Sequence, residues 1–153
     1  MLISCLGMLF GNINIQIKGE TKPHILKETT LASVPYVELE EFCSVFKAVC
    51  KQDRTDNRLY LNIYDEQFIF LERSSYYTLK AVSYNMNYPL QRKGERLYLP
   101  STFVNEHLHT HFPAQVKLKG NTLQISKPID NSVKTIVLDP GHGGKDPGAV
   151  GRK

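Results

Sequence analysis

One pattern occurs twice in this chain, and it restricts the fold more than any other feature. YVELEEFCSVFKAV from Tyr36 and YLPSTFVNEHLHTH from Tyr98 each run from an aromatic and an aliphatic residue through a capping turn into an apolar stripe, about 62 positions apart. Leu39, Phe42, Val45 and Phe46 make the stripe of the first copy, and Phe103, Val104 and Leu108 that of the second. A short strand leading into an amphipathic helix must bury one face of each. Two such segments predict an α+β module, with two short helices packed on a mainly antiparallel sheet in a pseudo-repeat. Pro100 is expected in the first turn of the second helix, where its missing N–H costs nothing.

The other strands follow from period-two alternation and turn residues. Ile13, Ile15 and Ile17 alternate with polar neighbours and predict a strand with one buried face. Ala48, Val49 and Cys50 return to strand after the first helix, and residues 53–57 supply a polar turn. Residues 58–64 and 67–71 read as a hairpin, and so do residues 114–118 and 122–126, joined by a tight turn at residues 119–121. Between them lies a mixed stretch rich in tyrosine. Residues 127–134, polar and broken by Pro128, read as a linker, and a second element begins in the apolar run from Thr135. The expected organisation is an N-terminal apolar segment or strand at 1–33, an α+β domain at 34–126, the linker at 127–134 and the start of a second domain at 135–153.

Composition excludes several classes. The hydrophobic share of 41% and charged share of 22% are those of a folded globular chain. The net charge of +4 is carried by scattered Lys and Arg, without the basic and aromatic interleaving of a nucleic-acid groove, so no nucleic-acid partner is expected. Cys5, Cys43 and Cys50 contain no C-x-x-C pair and are expected as small buried residues, with a Cys43–Cys50 bridge as the alternative in an oxidising compartment. The opening MLISCLGMLFGN is too short to span a bilayer, so no transmembrane helix is expected. It reads either as a buried strand or as an export signal lacking its basic end, and Leu2-Ile3-Ser4-Cys5 has the small-residue-then-Cys form of a lipoprotein box with a single residue before it.

The chemistry-bearing stretch is TIVLDPGHGGKDPGAVGRK, from Thr135 to Lys153. Residues 135–138 are apolar enough for a buried strand, which Asp139-Pro140-Gly141 ends sharply. Gly141, Gly143 and Gly144 clear the space around His142, and Asp146-Pro147-Gly148 supplies a second turn. A Walker loop would need glycine at 139 and Ser or Thr at 146, where aspartates stand. The dinucleotide fingerprint would also need a small residue at 146. The imidazole is therefore the informative group, and a histidine at a strand end is a frequent zinc ligand. Asp139 and Asp146 are read as loop-stabilising carboxylates without a catalytic role.

Two family resemblances follow from these residues. Tyr98-Leu99-Pro100-Ser101-Thr102-Phe103-Val104, with Glu106 and Leu108, resembles the strand-to-helix turn of the copper amine oxidase N-terminal-like domain of bacterial cell-surface proteins, over residues 34–126. The copy at Tyr36 departs from it in having Glu38 where proline is usual. That resemblance implies neither a copper site nor oxidase chemistry. The string from Ile136 to Gly151 closely resembles the first motif of the zinc-dependent N-acetylmuramoyl-L-alanine amidases. It implies that His142 is the first of three zinc ligands on an α/β catalytic fold, joined by a glutamate and a second histidine, with a later glutamate as general base. The implied substrate is peptidoglycan and the implied location the periplasm or cell envelope.

A catalytic zinc needs about three protein ligands and a water. The motif supplies one. The expectation is therefore an N-terminal fragment of a cell-wall amidase, catalytically silent as 153 residues, with a non-catalytic cell-envelope binding or scaffolding module as the alternative. Glu106, His107, His109 and His111 do not substitute for the missing ligands: alternate histidines share a face only in extended chain, and here they are expected on an exposed helix end. His24 is placed on a surface loop.

Overall fold

The computed structural model describes residues 11–120 and 122–128. The motif strand and His142, the cysteine at position 5 and the N-terminal apolar stretch through Phe10 lie outside the described residues.

The architecture is mainly β with two short helices, and its strands pair largely as antiparallel hairpins. β1 (Asn12–Ile17) leads to β2 (His24–Leu31), which returns as β3 (Val34–Glu38) through Ala32 and Ser33, both at positive φ. Two successive positive φ values give the turn twist that matches paired strands. α1 (Leu39–Phe46) follows directly. Its first turn carries Glu40 and Glu41, which suit the positive end of the helix, and Lys47 in left-handed conformation closes it with its N–H on the Cys43 carbonyl. β4 (Val49–Asp53), β5 (Arg58–Ile63), β6 (Glu66–Leu71), β7 (Tyr76–Leu79) and β8 (Val82–Asn85) then form a five-stranded antiparallel meander. β9 (Gln91–Lys93) and β10 (Arg96–Pro100) make the next hairpin, followed by a π-helical turn (Phe103–His107), α2 (Leu108–His111), β11 (Val116–Lys119) and β12 (Thr122–Ile125).

Hairpin, helix, hairpin therefore occurs twice: β2, β3, α1, β4, β5, and again β9, β10, helix, β11, β12. The two copies meet at β3 and β10, which pair antiparallel with Leu99 opposite Val37 and Pro100 opposite Tyr36. Pro100 is thus the last residue of a strand rather than part of the helix. The second sheet has seven strands, in the order β11-β12-β1-β2-β3-β10-β9. One of its pairings is parallel: β1 lies beside β12 with Ile15 opposite Leu123. β2 pairs with both β1 and β3, so these strands belong to one sheet.

The alternation read from the sequence is the alternation buried. Ile13, Ile15 and Ile17 from β1, Leu59, Leu61 and Ile63 from β5, and Phe68 and Phe70 from β6 join Leu39, Phe42 and Phe46 of α1 in one contiguous core. Phe103 sits at its centre, fully buried, with ring centroids 5.1 Å from Phe70, 5.3 Å from Tyr77 and 5.6 Å from Phe68. In the π-helical turn the Leu108 N–H bonds the Phe103 carbonyl, so Leu108 stays on the same buried side.

Cys43 and Cys50 are joined in a disulfide, not left as separate buried thiols. Cys43 lies in α1, the chain reverses at Lys47, and β4 then carries Cys50 back beside it. No helix among the described residues is long and apolar enough to cross a membrane.

Candidate functional site

The most distinctive polar cluster centres on Tyr77. The pleat of β7 turns Tyr77 and Leu79 toward the core, and Tyr77 is 1% exposed. A buried phenol requires a hydrogen-bond partner. The second helical segment provides two, because residues four apart lie on one helix face. His107 Nδ1 is 2.9 Å and His111 Nε2 is 2.6 Å from the Tyr77 hydroxyl. The phenol has one proton, so it donates to one imidazole and accepts the N–H of the other.

Aromatic packing fixes these rings. Tyr84 stacks on Tyr77 at 5.4 Å, His111 meets Tyr84 edge-on at 4.7 Å, and His107 lies parallel to Phe103 at 6.3 Å. Burial pushes both imidazoles below the usual histidine range. Glu106 opposes the shift at His107 and Glu66 opposes it at His111. Burial, with the neighbouring Tyr84, raises the Tyr77 phenol well above its ordinary value. At neutral pH the cluster holds a neutral phenol between two neutral imidazoles.

His107 and His111 are therefore half-buried and turned inward, in contrast to the exposed helix end expected for them. His109 points elsewhere and donates from Nδ1 to the Asn105 carbonyl at 3.1 Å. Glu106 is exposed, and Thr110 Oγ1 bonds its backbone carbonyl. His24 opens β2 rather than a loop and pairs with Glu20 at 2.7 Å. Among the described residues no three His, Cys, Asp or Glu side chains group closely enough to hold a metal. Tyr77 was the residue the sequence reading missed. Its signal was present in Tyr76-Tyr77-Thr78-Leu79, a short β-prone run ahead of a turn at Lys80 and Ala81.

A second polar cluster acts as a clasp. The Arg92 guanidinium on β9 bonds both carboxylate oxygens of Glu72 and reaches Gln52 of β4 at 3.2 Å. Arg54 meets Glu95 at 2.5 Å beside it, around a cleft of about 180 Å³. The Arg92 guanidinium holds the Glu72 carboxyl below the usual carboxylate range. Each charge here already has a protein partner, so the cluster ties β9 to the meander and leaves little to recognise a ligand. A larger cleft of about 350 Å³ runs over Gln16, Lys18, Lys117, Gln124 and Ser126.

No protein-family model, curated protein or solved structure matches the chain.

Proposed function

We propose that this chain is the leading part of a zinc-dependent N-acetylmuramoyl-L-alanine amidase, with its α+β region as a non-catalytic accessory module. The observation that carries the reading is the string from Ile136 to Gly151, in which a strand-like apolar run delivers His142 into a glycine-rich loop. His142 would be the first ligand of the metal. When bound, zinc would polarise the scissile carbonyl and activate water for attack on the amide between the lactyl group of muramic acid and L-alanine. The residues from Gly143 to Lys153 include no glutamate or histidine, so the motif itself supplies one ligand of the set.

Two features of the fold support an envelope role. The strand at Arg96–Pro100 runs into a helical turn at Phe103–His107, the local form that the resemblance to a cell-surface module, carried by Tyr98 to Val104, implies. The Cys43–Cys50 bridge suits an exported protein, because disulfides persist in oxidising compartments. A second reading, a binding or scaffolding module of the envelope, is favoured by the contiguous core that the described residues form.

Peptide release from purified peptidoglycan separates the readings. The chain extended through its downstream reading frame should cleave in a zinc-dependent way and lose activity on His142→Ala. An extended chain that binds peptidoglycan without cleaving it would favour the module.

A further inference from the structure

We propose that His107 and His111 form a binding site for a late divalent transition metal, with the Tyr77 oxygen as its third donor. The inference rests on neither His142 nor the amidase reading. Two histidines four apart on a helix are the spacing that puts two imidazoles on one metal. Here both nitrogens are aimed at one oxygen supplied by a different element, 2.9 and 2.6 Å away. The second helical segment and β7 thus bring two imidazole nitrogens within hydrogen-bond distance of one phenol oxygen.

Imidazole nitrogen suits Ni²⁺, Cu²⁺ and Zn²⁺, and neutral rings are the form that binds them. Phe103 beside His107, and Tyr84 and Phe68 against His111, hold the rings in place, so little ordering is required on binding. Both histidines are half-buried, so they are the side of the cluster nearer to solvent, while Tyr77 is 1% exposed.

The proton balance is defined. In the metal-free cluster one hydrogen lies on the phenol and one on the imidazole that donates to it. On binding, the phenol releases its proton to solvent. The donating imidazole shifts its hydrogen to its other ring nitrogen, and three lone pairs then face the cation. One proton leaves for each metal bound, and the charge of the cation offsets the cost of a buried phenolate.

The test is calorimetric titration of the tag-free 153-residue chain with NiCl₂, in a background carrying Cys5→Ser and His142→Ala to remove the thiol and the motif imidazole. One site is expected. His107→Gln and His111→Gln should each weaken it by at least about tenfold, the lower bound for losing even an outer-shell partner of a metal ligand. His109→Gln and His24→Gln should leave it unchanged. Repeating the titration in buffers of different ionisation enthalpy should show one proton released, and Tyr77→Phe should abolish that release. Histidine resonances of the unsubstituted background, broadened by Ni²⁺ at His107 and His111 before His24 and His109, provide the same assignment if a variant fails to fold. Undetectable binding, binding that survives both glutamine substitutions, or proton release unchanged in Tyr77→Phe would overturn the proposal.

Discussion

Opening the Cys43–Cys50 disulfide should cost about 2.4 kcal/mol of stability. The two cysteines are seven apart in sequence, and closing a loop of that length removes about 8 cal/mol/K of chain entropy from the unfolded state. The folded state should change little on opening. The helix that carries Cys43 is held by Leu39, Phe42 and Phe46 in the core, and Lys47 still reverses the chain. Urea unfolding of the oxidised chain, the same chain in reductant, and Cys43→Ala with Cys50→Ala measures the difference directly. The melting temperature should fall by about 10 °C for a domain of this size. The reduced chain and the double variant should agree to about 1 kcal/mol, since each cysteine packs on the core only in part. If oxidised and reduced chains unfold within about 0.5 kcal/mol of each other, loop closure is not what the bridge contributes, and its support for an oxidising compartment goes with it.

Phe103→Ala should destabilise the fold by about 3–5 kcal/mol, because its fully buried ring packs against Phe42, Phe68, Phe70 and Tyr77; a loss below about 1 kcal/mol in urea unfolding would show that the centre of the core lies elsewhere. Ser101→Ala should be neutral or raise stability by about 1 kcal/mol, since the buried Ser101 hydroxyl has no hydrogen-bond partner among the described residues; a clear loss would contradict that. Ala81→Gly should stabilise by about 1 kcal/mol, because Ala81 holds φ +62° in the β7–β8 turn; thermal melts read the sign. In chelator-treated buffer, stability should fall as pH drops below about 6.5. His107 and His111 are depressed by burial, so the unfolded chain takes up protons first, and the contribution is present above 6.5 and lost toward the lower folded values. His107→Gln with His111→Gln should flatten that part of the profile.

How far the fold could be read from the chain depended on how local the signal was. The repeated strand-into-helix pattern named both helical segments, because Phe42, Phe46, Phe103 and Leu108 announce a buried face within a few residues. The hairpins at residues 58–71 and 116–125 were equally plain from alternation and turns. β2, β7, β8 and β9 carry too little local signal: Lys27, Glu28, Thr29 and Thr30 show no apolar alternation, β8 buries none of its four residues fully, and β7 and β9 are only four and three residues long. The parallel partnership of β1 with β12 joins positions more than a hundred residues apart, and no local pattern records it. At Tyr77 the failure was of another kind. The alternation of His107, His109 and His111 suggests an extended period of two, whereas the helical period of four is what puts His107 and His111 on one face. The disulfide was legible only as an alternative, because its distance depends on the left-handed turn at Lys47.

The central proposal joins the folded module to the first ligand loop of a cell-wall amidase, and hydrolysis of purified peptidoglycan tests that most directly. Peptide release should be measured for the 153-residue chain and for the chain extended through its downstream reading frame, each with zinc and with chelator. The account predicts release only from the extended chain, only with zinc, and none after His142→Ala. Release by the 153 residues alone, or an extended chain that folds and binds zinc yet leaves peptidoglycan intact, would contradict it.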